Sequence, residues 1–146
     1  MVIKLNLNKK QDEGFEPLKP GTYEVTVVNF EPRSAGDKNI ISVDYEIRLD
    51  VDQEFKGRKI RKDDFFCTEK ALWKIENASI AAGFTEEEST FEKYTEWAQK
   101  FVGKQLQVEV FIEERNGFKN ERVKRYLPTA FPTNYTDEKI DDSVPF

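Results

Sequence analysis

The clearest structural signal in the chain is a hairpin at residues 104–127, which read KQLQVEVFIEERNGFKNERVKRYL. Asn116-Gly117 is a dipeptide typical of two-residue turns, because both of its positions tolerate the positive φ that such turns require. Apolar residues alternate with polar ones before the turn, and Val123 and Leu127 continue that apolar face after it. This pattern predicts a strand from Lys104 and a returning, antiparallel strand at residues 121–127.

Three more strands are predicted upstream of this hairpin. Gly21 opens the first strand, in which apolar residues recur at period two. A loop at residues 32–39 leads to the second strand at residues 40–49, and a polar turn then leads to the third strand at residues 58–66. The apolar faces are predicted to be Tyr23, Val25 and Val27 in the first strand and Val43, Tyr45, Ile47 and Leu49 in the second.

Two helices are predicted between the third and fourth strands, at residues 69–84 and 89–102. Each segment has apolar residues at helical spacing, and Thr68 and Gly83 are suited to cap the first helix. The acidic run Glu86-Glu87-Glu88 is expected to open the second helix, where negative charge favours the helix dipole. The helical stripes also carry two aromatic residues that we expect in the core, Trp73 and Trp97.

Three strands, a helical insertion and two strands form the element order of the OB-fold, a five-stranded Greek-key barrel that often carries oligonucleotides. The sequence therefore predicts a mainly β protein with inserted helices between strands 3 and 4, and a plain α+β domain is the alternative. After Pro128 the chain has two further prolines, several Thr and Asp, and no periodicity. We expect residues 1–128 to form the OB-fold domain and residues 129–146 to be a disordered acidic tail.

Composition excludes several kinds of chemistry. The chain contains no His and one Cys, so neither a zinc site of Cys and His nor a nucleophile activated by His is available. A single Cys forms no disulfide within the chain, which favours a reducing compartment. No apolar run is long enough to span a membrane, and the N-terminus lacks the apolar core of a secretory signal. We therefore expect a cytoplasmic protein without a membrane partner.

The net charge of −5 hides two basic segments on predicted strands. Residues 56–62 contain five basic residues and no acid, and residues 115–126 contain five basic residues and one acid. Cations neutralise phosphates and flat side chains stack on bases, so this mixture suits single-stranded nucleic acid. A solvated sheet edge protected by cations is the alternative for the basic runs, and packing under a helix is the alternative for Phe111. The residues predicted to bind DNA are Lys56, Arg58, Lys59, Arg61, Lys62, Phe111, Phe118, Lys119, Arg122, Lys124 and Tyr126, with Arg122, Lys124 and Tyr126 on one strand face beside Phe111.

The last six residues, Asp141-Asp142-Ser143-Val144-Pro145-Phe146, resemble the C-terminal tip of bacterial single-stranded-DNA-binding proteins. In that family an acidic tail ends in a similar Pro-Phe tip, which binds replication, recombination and repair partners. The Phe146 ring suits an apolar pocket, and its terminal carboxylate suits an Arg or Lys on the partner. The residues expected to contact such partners are Asp141, Asp142, Val144, Pro145 and Phe146.

Several short segments of residues 21–127 carry a further resemblance: GTYEV at 21–25, DVDQEFKGRKI at 50–60, TEKALWK at 68–74, AAG at 81–83, VGK at 102–104, and NG at 116–117 with NERV at 120–123. In these segments the chain resembles a phage family of single-stranded-DNA-binding proteins with an OB fold, often catalogued as uncharacterised. The resemblance implies an OB-type fold and a role in covering single strands during phage replication or recombination, in the host cytoplasm.

The favoured function is non-catalytic, sequence-independent binding of single-stranded DNA without a cofactor, with partners recruited by the tail. A phage protein–protein adaptor that never touches DNA and a single-strand annealing protein are the alternatives, and self-association is left open.

A metal-dependent nuclease is least favoured. The acidic run at residues 50–54 resembles a calcium loop, but Phe55 and Arg61 stand where that motif needs Gly and Glu. The acidic candidates for a nuclease are Asp50, Asp52, Glu54, Asp63 and Asp64.

Overall fold

The computed structural model describes Val2 and residues 18–133, which form a five-stranded antiparallel sheet with two α-helices. The prediction of a mainly β protein with helices between the third and fourth strands is confirmed. No helix in this part of the chain is long and apolar enough to cross a bilayer. The elements are β1 (Gly21–Ala35), β2 (Lys38–Ile47), β3 (Lys59–Phe66), a 3-10 turn (Glu69–Ala71), α1 (Leu72–Ala81), α2 (Tyr94–Phe101), β4 (Gln105–Arg115) and β5 (Phe118–Pro128).

The sheet has the strand order β3-β2-β1-β4-β5, so β1 lies at its centre. β1 pairs with β2 as far as Ala35 and Lys38, which means that residues 32–35, predicted as loop, continue the strand. β1 has a bulge at Val28, and from Asn29 onward the two strands stay in register up to a tight turn, so their pairing extends this far. The second hairpin turns at Asn116-Gly117 as predicted, with φ values of 54° and 81°.

The core lies between one face of the sheet and the two helices. Most of the apolar residues whose alternation predicted the strands are buried there. The apolar faces of β1 and β4 are buried, and so is Trp97 of α2, as predicted. The Trp97 ring stacks on Phe101 with 4.8 Å between centroids, and its indole N–H donates to Ser79 Oγ at 2.8 Å. Leu49, predicted on the apolar face of the second strand, is exposed because β2 ends at Ile47.

The second helix is shorter than predicted, because residues 85–89 form a turn and α2 begins only at Tyr94. In that turn the Ser89 N–H donates to the Thr85 carbonyl at 3.0 Å. The acidic run at residues 86–88 therefore does not open a helix. Both carboxylate oxygens of Glu88 instead accept from Lys104 Nζ at 2.9 Å, and this partner lowers the pKa of the Glu88 carboxyl.

The core prediction for Trp73 is wrong, because this side chain is 61% exposed. The residues that α1 buries are Ile75, Ala78 and Ala81. A helix turns by about 100° per residue, so Trp73, two positions before Ile75, points about 200° away from it. Closeness in sequence to an apolar stripe therefore does not bury a side chain on the opposite face.

The two edge strands, β3 and β5, meet through the Asp63 side chain. This carboxylate is buried and accepts hydrogen bonds from Tyr45 Oη at 2.5 Å and from Tyr126 Oη at 2.6 Å. Lys74 Nζ of α1 lies 2.9 Å from the same carboxylate. Burial, and then the Asp63 charge, raise the pKa of both tyrosine hydroxyls, so they remain protonated donors. Asp63 thus joins β2, β3, β5 and α1.

The chain that follows β5 packs back on the sheet. The Ala130 N–H donates to Glu24 Oε2 at 2.9 Å, and the Thr129 hydroxyl donates to the same carboxylate. Buried Arg48 lies 3.7 Å from Glu24 and donates to Thr129 Oγ1 at 3.1 Å. The first residues of the predicted tail are therefore bound to the sheet, whereas its tip at residues 141–146 lies outside the described residues.

Candidate functional site

A basic groove of about 730 Å³ runs between β3 and the β4–β5 hairpin. Both basic segments that the sequence singled out reach it, although more than fifty residues separate them along the chain. Six cations and one carboxylate, that of Glu121, line this groove. The cations are Arg58, Lys59, Arg61, Lys62, Lys119 and Arg122.

A bulge in β3 places two of these cations next to each other. Ile60 pairs with Tyr45 of β2, and Asp63 pairs with Val43, so Arg61 and Lys62 both stand opposite one residue, Asp44. The Lys62 backbone N–H donates to Asp44 Oδ1 at 3.0 Å, and Lys62 has a φ of 61°. Lysine seldom adopts this left-handed conformation, and strain of this kind is concentrated at functional sites. The bulge holds both cations at the surface of the groove.

Five of the six groove cations have no ion pair within residues 18–133; Arg122 is the exception, with its Nε 3.0 Å from Glu113 Oε1. Cations without an ion pair lose no carboxylate partner when they bind an anion. The side chains of Lys59, Arg61, Lys62 and Lys119 are also exposed to solvent. The groove is thus chemically suited to bind a chain of negative charges.

A narrower cleft of about 210 Å³ continues the basic groove into the gap between β3 and β5. Four residues line both cavities: Arg61, Lys62, Glu121 and Arg122. The cleft adds Lys74 of α1 together with the carboxylates of Asp63 and Asp64, and Lys74 is paired with Asp63. Sequence reasoning missed Lys74, because it lies on a helix and outside both basic runs. Its presence in the cleft depends on how α1 packs over the edge strands.

Cations on the outer face of β4 and β5 are paired with glutamates of β4, and the sequence pattern of the basic runs did not predict these pairs. Glu113 pairs with Arg122, and Glu109 Oε1 lies 3.0 Å from Arg125 Nε. These pairs are exposed, so each contributes little to stability. Phe111 lies between the two glutamates along β4 and is the cross-strand neighbour of Arg122, as the sequence predicts. Glu109 and Glu113 are four positions apart, an even spacing that puts both on one face of β4, and this spacing is the signal from which the ion pairs could have been predicted.

Five predicted DNA-binding residues do not line the basic groove. Lys56 lies in the turn before β3, and Phe118 lies beside the hairpin turn with 72% of its side chain exposed. Phe111, 39% exposed, lies on the outer sheet face, and Lys124 occupies a bulge in β5. Tyr126 does not share the face of Arg122, so this placement is wrong.

The bulge in β5 is the physical reason for the different position of Tyr126. Arg125 pairs with Glu109, whereas Val123 pairs with the next β4 residue, Val110, which leaves Lys124 without a cross-strand partner. An extra residue in one strand reverses the faces of all residues beyond it. Tyr126 therefore points inward, where its ring lies 5.9 Å from that of Phe65.

Three of the five acidic residues considered for a nuclease, Asp50, Asp63 and Asp64, are bound to different basic or polar groups. Asp50 receives two hydrogen bonds from Arg48, at 2.9 and 2.7 Å, and these bonds lower the pKa of its carboxyl. Asp64 pairs with Arg33 at 2.5 Å, and Asp63 forms the contacts between the edge strands. Among Val2 and residues 18–133, no three acidic or Cys side chains are grouped so that they could hold a metal ion.

The fold and the groove define a mainly β protein whose edge strands carry a cationic groove suited to polyanions. Residues 5–137 match the family described as "Protein of unknown function (DUF669)", and the chain belongs to that family. No curated protein matches the chain.

Proposed function

We propose that the protein binds single-stranded DNA, without sequence preference, in the basic groove. The observation that carries this proposal is the convergence of two distant basic runs on one groove, with six cations to one acid. Each cation can neutralise a phosphate and release its counterion. Phe111 is the cross-strand neighbour of the groove residue Arg122, and Phe118 is exposed beside the hairpin turn, so both rings are accessible for stacking on bases of a strand that extends beyond the groove.

We also propose that the sheet is an OB barrel. The strand order β3-β2-β1-β4-β5 and the helical insertion between β3 and β4 support this assignment. The contacts of Tyr126 with Asp63 and Phe65 support it further, because they join the two edge strands as closure of a barrel requires. In OB-folds, oligonucleotides bind the face of strands 2 and 3 and the loop between strands 4 and 5. The basic groove lies at β3 and the β4–β5 hairpin, in agreement with that location.

Recruitment of replication or recombination partners by the C-terminal tip is part of the same proposal, as is a role in a phage. The support for both comes from the sequence: the acidic residues Asp141 and Asp142 followed by Val144-Pro145-Phe146, and the family resemblance of residues 21–127. Binding at this tip would use its apolar ring and terminal carboxylate, independently of the basic groove.

Fluorescence anisotropy of a labelled oligo-dT strand, titrated with the protein at several salt concentrations, tests the proposal. We expect binding at low salt that weakens as salt rises, with a log–log slope of about −4 when all six cations contact phosphates, since each contact contributes about −0.7. An adaptor that never touches DNA would give no binding at low salt, which would overturn the proposal. Loss of the labelled strand on addition of magnesium would overturn it in favour of a nuclease.

Replacing Lys62 by glycine is expected to weaken DNA binding while leaving the fold as stable as before or more stable by about 1 kcal/mol. Glycine adopts the φ of 61° seen at this position without strain, but it removes one groove cation. Oligo-dT titration and urea denaturation measure the two effects. Alanine is the matched control, because K62A loses the cation and keeps the strain, so it should weaken binding equally without added stability. Wild-type affinity in K62G would contradict the prediction.

A further inference from the structure

A second groove, of about 710 Å³, lies between α1 and the segment at residues 84–91 that follows it. Its apolar lining includes Leu72, Ile75 and Ile80 of α1. Phe84 and Phe91 line the opposite wall and are only partly buried, while Ile80 is 73% exposed. This acidic groove, as we call it for its charge, thus leaves apolar surface uncovered, which is typical of an interaction site.

The charged side chains that line the acidic groove are both carboxylates. Glu76 of α1 stands on one wall and Glu86 on the other, and neither has an ion pair within residues 18–133. Residues 75–92 contain five acidic residues and no basic one, and Glu88 alone among the five is paired, with Lys104. The groove therefore favours an occupant that carries cations beside its apolar side chains.

Cations near the acidic groove do not reverse its charge. Three of them are engaged elsewhere, since Lys74 pairs with Asp63, Lys104 pairs with Glu88, and Lys93 lines a separate cavity. Two others remain: one precedes α1, and the second donates to a backbone carbonyl at 3.4 Å; they are Lys70 and Lys100. Exposed acids around the two lining carboxylates outnumber this pair, namely Glu69, Glu87 and Glu92.

The first eleven residues of the chain, MVIKLNLNKKQ, have the complementary composition. They contain three Lys and no acidic residue. Ile3, Leu5 and Leu7 recur at period two, so an extended chain presents all three on one face. These three residues span about 13 Å in a strand, close to the length of about 15 Å expected for the ten-residue α1. The segment thus suits the groove in length, apolar pattern and charge.

The other long segment outside the described residues is disfavoured by its charge. Residues 134–146 contain four acidic residues and one Lys. Like charges repel, so Glu76 and Glu86 would oppose the entry of this segment. Between the two ends of the chain, charge therefore selects the N-terminal one.

We propose that residues 2–10 of one copy of this chain bind in the acidic groove of a second copy. The apolar face of the segment contacts the apolar lining, and Lys4 and Lys9 pair with Glu76 and Glu86. The groove belongs to a second copy because Val2, which precedes the apolar face, is 91% exposed and so is not covered by its own chain.

The chain is long enough for this exchange. Leu18 is buried in the core and fixes the point from which the N-terminal segment starts. Residues 11–17 lie between that point and the proposed binding segment, and at about 3.3 Å per residue they span up to about 23 Å. A short segment buries less than the roughly 1,200 Å² of a stable interface, so we expect a dissociation constant in the micromolar range or above.

Sedimentation equilibrium of the full chain without DNA, from low micromolar to millimolar concentrations, tests the proposal. We expect the mass to rise above that of the monomer as concentration rises. L5N/L7N, which keeps every charge, should weaken the association about tenfold or more because it removes apolar contacts. A monomeric mass at every concentration, or wild-type association in L5N/L7N, would overturn the proposal. Since no DNA is present, the result does not depend on whether the basic groove binds a strand.

Charge reversal on each side of the contact tests who occupies the groove. K4E/K9E and E76K/E86K are each expected to weaken association about tenfold, because each places like charges together. An equimolar mixture of the two variants restores opposite charges between copies, so it should associate about as strongly as wild type. A mixture no stronger than its separate components would overturn the exchange.

The matched control for the groove variant is E31K/E114K, which makes the same charge change at two exposed glutamates of β1 and β4. We expect it to associate as wild type does, since neither residue lines the acidic groove. An equal loss in this control would show that net charge, and not the groove, governs association, and would overturn the proposed contact.

Discussion

Replacing Asp63 by alanine is expected to destabilise the fold by about 3–5 kcal/mol, the cost typical of removing one partner from a buried charged pair. The carboxylate accepts from the hydroxyls of Tyr45 and Tyr126, and it pairs with Lys74. The substitution leaves two hydroxyls without their acceptor where β3, β5 and α1 meet, and it leaves the Lys74 ammonium with the Asp64 carbonyl but without its carboxylate partner. Urea denaturation gives the free energy of unfolding that checks this expectation.

Two further variants test this prediction: one removes the charge of Asp63 but keeps its shape, and the other is a control in an exposed turn. D63N keeps an oxygen acceptor but loses the charge beside Lys74. Its free energy of unfolding should therefore lie between that of the wild type and that of D63A. D37A, in the exposed turn between β1 and β2, should change the free energy of unfolding by less than about 0.5 kcal/mol. If the free energy of unfolding of D63A lay within about 1 kcal/mol of the wild-type value, Asp63 would not be the contact that joins the edge strands.

Reversing one cation from each basic run, in the double variant R61E/K119E, is expected to lower affinity for oligo-dT at low salt by about a hundredfold. Both residues line the basic groove and neither has an ion pair within the described residues. The loss of two phosphate contacts should reduce the salt slope by about 1.4, and the two new carboxylates should also repel the strand. Anisotropy titrations across a salt series measure both quantities.

The matched control is K93E/K100E, which changes the net charge by the same amount at the start and end of α2. If the groove binds DNA, this control should retain most of the wild-type affinity and slope, because surface charges outside the groove contribute only through the screened general field. Equal losses in the two double variants would indicate that net charge, rather than the groove, determines binding.

Much of the candidate site was predictable because charge runs are visible in the sequence. Six of the eleven predicted DNA-binding residues line one groove. The prediction failed for Tyr126 because a one-residue bulge at Lys124 reverses which face later residues occupy, and that bulge has no recognisable residue pattern. It overlooked Glu109 and Glu113 because Phe111 was the one residue of the paired strand that was considered together with the β5 cations.

By itself, the sequence determined the elements: five strands, all but the third marked by alternating apolar residues, helices between the third and fourth strands, and a tight turn at Asn116-Gly117. These features depend on contacts between near neighbours, so the local pattern is sufficient to predict them. Only the tertiary structure decided that the two basic runs meet, that Trp73 is exposed, and that Asp63 joins β3 to β5. Such features depend on contacts between residues far apart in the chain. They also depend on strand bulges and on which face of a helix packs against the sheet, and a shift of one residue changes which side chains are buried.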